Sequence, residues 1–170
     1  MRRTRIGDSM STGIVCVVPS VKIADAREVA RRRNVRHLLV TSKRDLVGIA
    51  CLCDLAPAVE AQTIASCMAS PVVTISPDAT LDFGAEVMRS RRVGCLPVVS
   101  GGDLLGIVTR GDLRRRGFSD EELGIRRCVV CGWGHNVVAS LGTPDVGFCL
   151  FCRERSIPPS EDDVDLGGSG

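Results

Sequence analysis

The sequence has few aromatic residues and no tyrosine. Phe and Trp make up 3% of the 170 residues, so the hydrophobic core must be aliphatic and few rings are available to stack on nucleic-acid bases. Long apolar runs are also missing. Stretches such as 46–52 are too short to cross a bilayer, and no signal-peptide segment follows the basic start. We therefore expect neither a membrane span nor an export signal.

The charge balance is close to neutral. With 22 Lys and Arg against 20 Asp and Glu, the formal net charge is +2, which does not favour a protein that wraps nucleic acid. The content of 44% hydrophobic and 25% charged residues is ordinary for one globular domain or two small ones. Nine cysteines, an odd number, fit a reducing compartment better than a disulfide framework, so we predict a cytoplasmic protein.

An internal repeat organises the first two thirds of the chain. When the sequence is aligned with itself at an offset of 58 residues, identical residues meet without a gap along the whole unit. The aligned pairs include Met10 and Met68, Val15 and Val73, Pro19 and Pro77, Glu28 and Glu86, Leu38 and Leu96, and Asp54 and Asp112. A repeat this small usually buries its apolar face against its twin.

Each copy predicts the order β-α-β-β-α. The opening strands are expected at 14–18 and 72–75, and each is followed by a helix with one apolar stripe. Two strands joined by a tight turn come next, at 36–41 and 46–51, and again at 95–99 and 104–109. Short helices near 54–59 and 112–116 close the copies. The predicted fold class is α/β (α+β), with the two repeats packed as a pseudo-twofold pair.

Residues 8–117 resemble a tandem pair of CBS domains, a Bateman module. The resemblance rests on the Met-to-Pro opening of each copy, the strand Leu96-Pro97-Val98-Val99, and an ending that follows the family's Gly-x-x-Thr/Ser-x-x-Asp ligand motif. That ending runs from Gly106 to Asp112. We place the repeats at 8–58 and 66–117.

The resemblance implies an adenosine-containing ligand, such as AMP, ADP, ATP or S-adenosylmethionine, in the clefts between the copies. In this sequence Asp112 would hold the ribose and Thr109 would contact ribose or phosphate. The stretch containing Val72 and Val73 would cover the adenine. In the first copy Asp54 and the stretch containing Ile14 take the matching positions.

The two copies differ in their polar residues. Cys51 stands where the motif has Thr or Ser, and a thiol is a weak hydrogen-bond donor. Arg36 and His37 occupy positions that related modules use to reach phosphates, so one good site is expected, with Arg110 as a further cation. The alternative for Thr109 and Asp112 is a helix capping box that binds no ligand.

Four cysteines near the C-terminus form two pairs. Their spacing, CxxC-x17-CxxC, falls in the range of four-thiolate zinc sites. The stretch 127–157 resembles a zinc ribbon; an iron centre or a thiol redox role are the alternatives. The predicted ligands are Cys128, Cys131, Cys149 and Cys152. The glycine-rich acidic segment 158–170 predicts a disordered tail.

These patterns predict a non-enzymatic regulatory protein that senses an adenine nucleotide, with a structural Zn²⁺ ribbon for output or for docking a protein partner. No Walker-type loop and no nucleophile paired with a base is apparent in the sequence. The resemblance implies a homodimer. Two alternatives stay open: a nucleic-acid-binding or transcription-associated protein that uses the ribbon, and a structural protein-protein adaptor.

Overall fold

The computed structural model describes residues 4–55, 58–127, 129, 137–140 and 143–149. The chain divides into two compact units, Met1–Gly124 and Ile125–Gly170, and the first holds both repeats. The first repeat contains β1 (Cys16–Val17), α1 (Ile23–Arg32), β2 (His37–Ser42), β3 (Asp45–Cys51) and α2 (Leu52–Leu55). The second repeat contains α3 (Leu81–Ser90), β4 (Cys95–Ser100), β5 (Asp103–Thr109) and α4 (Arg110–Arg115).

The two longer helices, α1 and α3, form where the apolar stripes predict them. Helix α1 buries Ile23, Ala26 and Ala30 along one face, whereas α3 buries Leu81, Gly84, Ala85 and Met88. The Thr80 hydroxyl caps α3 by accepting a hydrogen bond from the Phe83 amide at 3.3 Å. Small residues on each buried face let the helix lie close to its sheet.

Both predicted hairpins are confirmed. Strand β2 pairs with β3, and β4 with β5, in antiparallel ladders of matching register. The second turn places Gly101 and Gly102 at φ of 60° and 91°, in the left-handed region that favours glycine. The first turn places Lys43 at φ 57° instead.

The predicted opening strand of the second repeat is wrong in part. In the first repeat β1 pairs with β2 in parallel, and the Leu39 amide donates to the Val15 carbonyl at 3.0 Å. In the second repeat Pro97 stands in the place of Leu39 and has no N–H to donate. The equivalent ladder is therefore reduced to a single bridge between Ile75 and Val98.

The short closing helices begin earlier than predicted. Helix α2 starts at Leu52 and α4 at Arg110, two residues before the carboxylates that the sequence pattern used as starting points. The reason is that Asp112 is the third residue of α4 and caps it from inside the first turn.

The segments that precede the repeats are exchanged between them. The Ile64 amide donates to the Val21 carbonyl at 2.8 Å, and the Ile6 amide donates to the Ala79 carbonyl at 2.8 Å. Ile64 belongs to the buried core around α1, whereas Ile6 is fully buried and contacts the position of Gly84 in α3. Each repeat therefore completes its core with a residue that comes from the segment before the other.

The sheets of the two repeats meet in a shared apolar cluster. Leu39 from β2, Cys95 from β4 and Ile107 from β5 are buried together. Ile14, Leu46, Ile49 and Leu104 pack around them. This contact brings the starts of β2 and β4 close to each other, and those starts carry the polar residues described below.

The second unit contains one described hairpin. Strands β6 (Val137–Ser140) and β7 (Thr143–Cys149) pair antiparallel, with Val137 opposite Cys149. The Val129 amide donates to the Gly147 carbonyl at 3.0 Å. Within the described residues of both units, the structure contains no helix with the length and apolar character needed to cross a membrane.

Candidate functional site

The junction of β5 and α4 holds a buried carboxylate. Asp112 is 6% exposed, and its Oδ2 accepts hydrogen bonds from the Thr109 amide and the Thr109 hydroxyl, each at 2.7 Å. The Thr109 hydroxyl in turn accepts from the Asp112 amide at 3.3 Å. The predicted capping box is therefore present, and it fixes both side chains at the start of the helix.

Capping does not use the whole carboxylate. The second oxygen, Oδ1, pairs with the guanidinium of Arg115, whose side chain is 72% exposed. A carboxylate offers about four acceptor positions, and ion pairs with exposed partners contribute little to stability. Asp112 Oδ1 is thus held in place by the cap but paired with a group that a ligand can displace.

Arg110, the first residue of α4, brings a positive charge to the same junction. Its Nε is buried and makes no hydrogen bond within the part of the chain that the structure describes. Burial also lowers the pKa of the Arg110 guanidinium. A buried N–H without a partner costs roughly 1–3 kcal/mol, so an anion that reached it would be stabilised.

His37 approaches this junction from the other repeat. The Arg110 amide donates to the Gly94 carbonyl at 3.0 Å, and a Cβ at Gly94 would lie 3.9 Å from His37 Nε2. His37 also hydrogen-bonds the thiol of Cys95. The structure therefore brings two predicted cations, one from each repeat, to the start of β4.

The corresponding junction of the first repeat has different chemistry. The Cys51 amide donates to Asp54 Oδ2 at 3.2 Å, which repeats one of the capping bonds. Cys51 has no hydroxyl, and its Sγ lies 2.6 Å from the Sγ of Cys53. His37 is the cross-strand partner of Cys51 and hydrogen-bonds its thiol. The carboxylate is thus kept as Asp54, and a pair of thiols takes the place of the hydroxyl.

The charges of this cluster are strongly coupled. Burial is the largest influence on His37 and lowers its pKa, but hydrogen bonds to Cys51 and Cys95 outweigh it and raise the pKa to about 10. The hydrogen bond with Cys53, followed by that with His37, holds the pKa of Cys51 well below its usual range. The same bond with Cys51 raises the pKa of Cys53. Both shifts act in the same direction, toward a thiolate at Cys51 and an imidazolium at His37.

This assignment predicts an unusual order of thiol reactivity. Because the thiolate is the nucleophile, iodoacetamide should modify Cys51 at a rate that changes little between about pH 6 and pH 8. Cys16 is more exposed, but burial of part of its side chain raises its pKa, so its rate should rise roughly tenfold per pH unit. Peptide mass spectrometry over a pH series measures both rates. Faster labelling of Cys16 than of Cys51 at pH 6 would contradict the assignment.

The remaining predicted ligand residues lie in three places. Val72 and Val73 are half-buried in a segment outside the named strands, and Ile14 packs against the cluster around Cys95. Arg36 is exposed, and its carbonyl accepts a hydrogen bond from the Leu52 amide at 2.9 Å. Asp54 lies in the first-repeat junction with the thiols, away from the capping box of the second repeat.

Sequence reasoning missed three residues of the site. Arg115 pairs with Asp112, Cys95 hydrogen-bonds His37, and Cys53 contacts Cys51. The Cys-x-Cys spacing of residues 51–53 was a visible signal, but an interpretation of lone cysteines as core residues passed over it. No local pattern links His37 to Cys95, because that contact joins two repeats.

The predicted metal ligands of the second unit fall largely outside the described residues. Cys128, Cys131 and Cys152 are not among them, and Cys149 is described only as the last residue of β7. The zinc ribbon therefore stays a prediction, as does the tail at 158–170.

Two similar repeats that exchange the segments before them and share a polar junction define a tandem repeat module. The chain belongs to the CBS domain family, which it matches over residues 6–61 and 64–118. It is 27% identical over 125 residues to the CBS domain-containing protein YhcV of Bacillus subtilis, covering 70% of this chain and 89% of that protein. A match to homoserine O-acetyltransferase of Methanohalobium evestigatum covers 68% of this chain but only 24% of the enzyme.

Solved structures with the same fold contain adenosine compounds. The CBS domain pair of protein MJ0100, in complex with 5′-methylthioadenosine and S-adenosyl-L-methionine, superposes with a TM-score of 0.63 at 28% identity. That match covers 66% of this chain and 94% of the other. The cytosolic domain of the Mg²⁺ channel MgtE, in complex with ATP, superposes with a TM-score of 0.60 at 26% identity, covering 66% and 48%.

Proposed function

We propose that this CBS pair binds one adenosine-containing ligand at the second-repeat junction and acts as a non-enzymatic sensor of it. The observation that carries the proposal is the buried Nε of Arg110, which has no hydrogen-bond partner among the described residues and belongs to the same helix start as the buried carboxylate of Asp112. The guanidinium suits a phosphate or carboxylate of the ligand, and the Asp112 carboxylate suits a ribose hydroxyl. The adenosine compounds bound by the similar CBS structures support the same ligand class.

Each part of such a ligand has a matching group. Asp112 Oδ1 accepts from a ribose hydroxyl once Arg115 moves away, and the Thr109 hydroxyl is fixed beside it. Arg110 meets the anionic group, with His37 as the cation from the other repeat. The adenine lies against the half-buried Val72 and Val73 and the apolar residues that include Ile14. Pro97 cannot donate to the Val73 carbonyl in the way that Leu39 donates to the Val15 carbonyl, so the Val73 carbonyl is the proposed acceptor for the adenine amino group.

The first-repeat junction is the weaker candidate for a nucleoside. Asp54 keeps the carboxylate, and the Arg36 carbonyl accepts a hydrogen bond from the Leu52 amide at the start of α2. However, Cys51 replaces the hydroxyl and is already hydrogen-bonded to His37 and Cys53. A thiol donates weakly, so a ribose gains less there. One ligand per chain is therefore the proposed stoichiometry.

The proposed sensing mechanism is a shift between packings of the two repeats. An anion held by His37 and Arg110 links residues of different repeats across the cluster around Cys95. A ligand that prefers one relative packing shifts the population toward it in proportion to that preference. The exchanged segments at Ile6 and Ile64 link the two repeats directly, because each segment is hydrogen-bonded to the other repeat.

A ligand screen tests this function. Thermal unfolding of the full chain is followed with AMP, ADP, ATP, S-adenosylmethionine and 5′-methylthioadenosine, and with GMP and GTP as base controls. At a concentration 100 times the Kd a ligand stabilises by about 2.7 kcal/mol, which corresponds to several degrees in the midpoint. At least one adenosine compound should shift the midpoint, and Arg110→Ala should reduce the shift most for phosphorylated ligands. Absence of a shift with every compound would refute the proposal and favour the adaptor alternative.

We also propose that Cys128, Cys131, Cys149 and Cys152 hold one structural Zn²⁺ that stabilises the second unit for docking a protein partner. The CxxC-x17-CxxC spacing supports this, because four thiolates make a closed tetrahedral site. Replacing Cys128 by serine should lower the zinc content of the full chain by about one equivalent. Unchanged zinc would refute the ribbon. Nucleic-acid binding that weakens with salt would favour the transcription-associated alternative instead. The homodimer and the cytoplasmic location stay predictions.

A further inference from the structure

The first-repeat junction contains a cluster of metal-ligating side chains that the proposed sensor does not use. Cys51, Cys53 and Asp54 each offer one ligand atom, and these atoms all lie within 4.8 Å of one another. All three residues are half-buried. Their backbone is fixed by the end of β3 and the start of α2.

We propose that Cys51, Cys53 and Asp54 form a second metal site, for a thiophilic d¹⁰ cation of the Zn²⁺ class. Two thiolates and a carboxylate are ligands that such cations accept, and a water molecule completes a tetrahedral set. These three ligands are distinct from the cysteines of the second unit and from the groups of the adenosine site at Asp112.

The carboxylate is already oriented for coordination. Asp54 Oδ2 accepts a hydrogen bond from the Cys51 amide at 3.2 Å, and Oδ1 lies 3.9 Å from the Sγ of Cys53. The backbone bond thus fixes one oxygen and presents the other to the thiols. Outer hydrogen bonds of this kind typically orient ligands in protein metal sites.

His37 on the neighbouring strand orients one of the thiols. It lies directly opposite Cys51 in the β2–β3 ladder and hydrogen-bonds the Cys51 thiol, whereas the ligand atoms within 4.8 Å of one another belong to Cys51, Cys53 and Asp54. His37 therefore acts as an outer hydrogen-bond partner of a ligand. The two sulfurs, 2.6 Å apart, must separate by about an ångström to reach the spacing set by Zn–S bonds of about 2.3 Å. Rotation about the Cα–Cβ bonds of two half-buried cysteines provides that movement.

The second repeat offers an internal comparison. At the positions equivalent to the three proposed ligands it carries Thr109, Gly111 and Asp112. Both thiols are therefore missing, and the carboxylate oxygen near the lost thiol pairs with Arg115 instead. The chemistry for a soft cation exists in only one of the two pseudo-symmetric junctions.

Metal counting on the full chain tests the site. The wild type, Cys51→Ser/Cys53→Ser and Cys16→Ser/Cys67→Ser are kept reduced with a phosphine, loaded with Zn²⁺ and freed of loosely bound metal. Cys16→Ser/Cys67→Ser is the matched control, because it also removes two thiols of the first unit, but two that lie outside the cluster. The cysteines of the second unit are common to all three chains, so the difference in zinc content isolates the first repeat.

The expected result is about one equivalent of Zn²⁺ fewer in Cys51→Ser/Cys53→Ser, and no loss in the control. With Cd²⁺ as the probe, the thiolate-to-metal absorption of Cys51→Ser/Cys53→Ser should be lower than that of the wild type by the contribution of two thiolate ligands. His37→Gln and Asp54→Asn should each weaken binding roughly tenfold or more. Equal zinc content and affinity in the wild type and Cys51→Ser/Cys53→Ser would overturn the proposal. The adenosine screen uses Asp112 and is read separately, so either proposal can fail alone.

Discussion

Replacing Asp112 by alanine is expected to weaken adenosine-ligand binding about 100-fold or more. Hydrogen bonds to a charged group contribute about 1.5–3 kcal/mol each, and the ribose offers two hydroxyls to this carboxylate. Losing about 3 kcal/mol corresponds to a change of roughly two orders of magnitude in Kd. Isothermal titration of the wild type and the variant with the best ligand of the screen measures the change.

The same substitution also removes a helix cap, and the two effects must be separated. Loss of the cap should cost about 1 kcal/mol of stability and lower the midpoint of the free protein. Glu122→Ala is the matched control, because Glu122 accepts from the Ser119 amide at 2.7 Å and its own amide donates to the Ser119 hydroxyl at 3.2 Å. This variant removes half of a similar reciprocal pair and should leave the Kd unchanged. If Asp112→Ala kept the wild-type Kd, its carboxylate would be a cap and nothing more.

Gly106→Ala is expected to destabilise the first unit by about 2–3 kcal/mol, the cost of overpacking a rigid site. A Cβ at this position would lie 2.6 Å from the Ser11 carbonyl oxygen. That oxygen cannot move aside easily, because Ser11 is tied to Ile107 by two backbone hydrogen bonds of 2.9 Å. The clash lies between the N-terminal part of the first repeat and a strand of the second, so it loosens the contact between the repeats.

Gly48→Ala at the pseudo-equivalent position provides the comparison. Its Cβ would meet the Met68 side chain, with Cγ at 2.9 Å, and a flexible thioether can shift. We expect a loss of about 1 kcal/mol or less. Urea unfolding of both variants gives the two values. Equal losses would show that the exchanged segments are not held rigidly in the way the hydrogen bonds indicate.

Much of the fold was predictable because the same pattern of apolar residues and turns occurs twice in the sequence, so each copy supports the assignment of the other. The apolar stripes of α1 and α3 and the two hairpins follow from spacing and turn residues, which act over a few residues. The opening strand of the second repeat was not predictable in this way. Its residues are β-branched, but its pairing depends on a donor that Pro97 lacks, and Pro97 lies more than twenty residues further along the chain.

The candidate site was also predictable only in part. Thr109 and Asp112 are three residues apart, so the motif that suggested a ligand site also described the capping box. The sequence offered both interpretations, and the structure shows that the cap is formed while one carboxylate oxygen faces an exchangeable partner. The approach of His37 to Cys95 had no sequence signal, since it needs the sheets of the two repeats to meet in one apolar cluster.

By itself, the order of residues determined that the chain holds two β-α-β-β-α-like repeats, that their polar junctions differ, and that four late cysteines have metal-site spacing. Such properties depend on local periodicity and on composition, which are readable along one strand or helix. Only tertiary structure decided that His37 of the first repeat contacts Cys95 of the second, and that Ile6 and Ile64 each complete the core of the other repeat. The physical reason is that these neighbours are set by the packing of whole sheets and by exchanged segments, and neither depends on any short stretch of sequence.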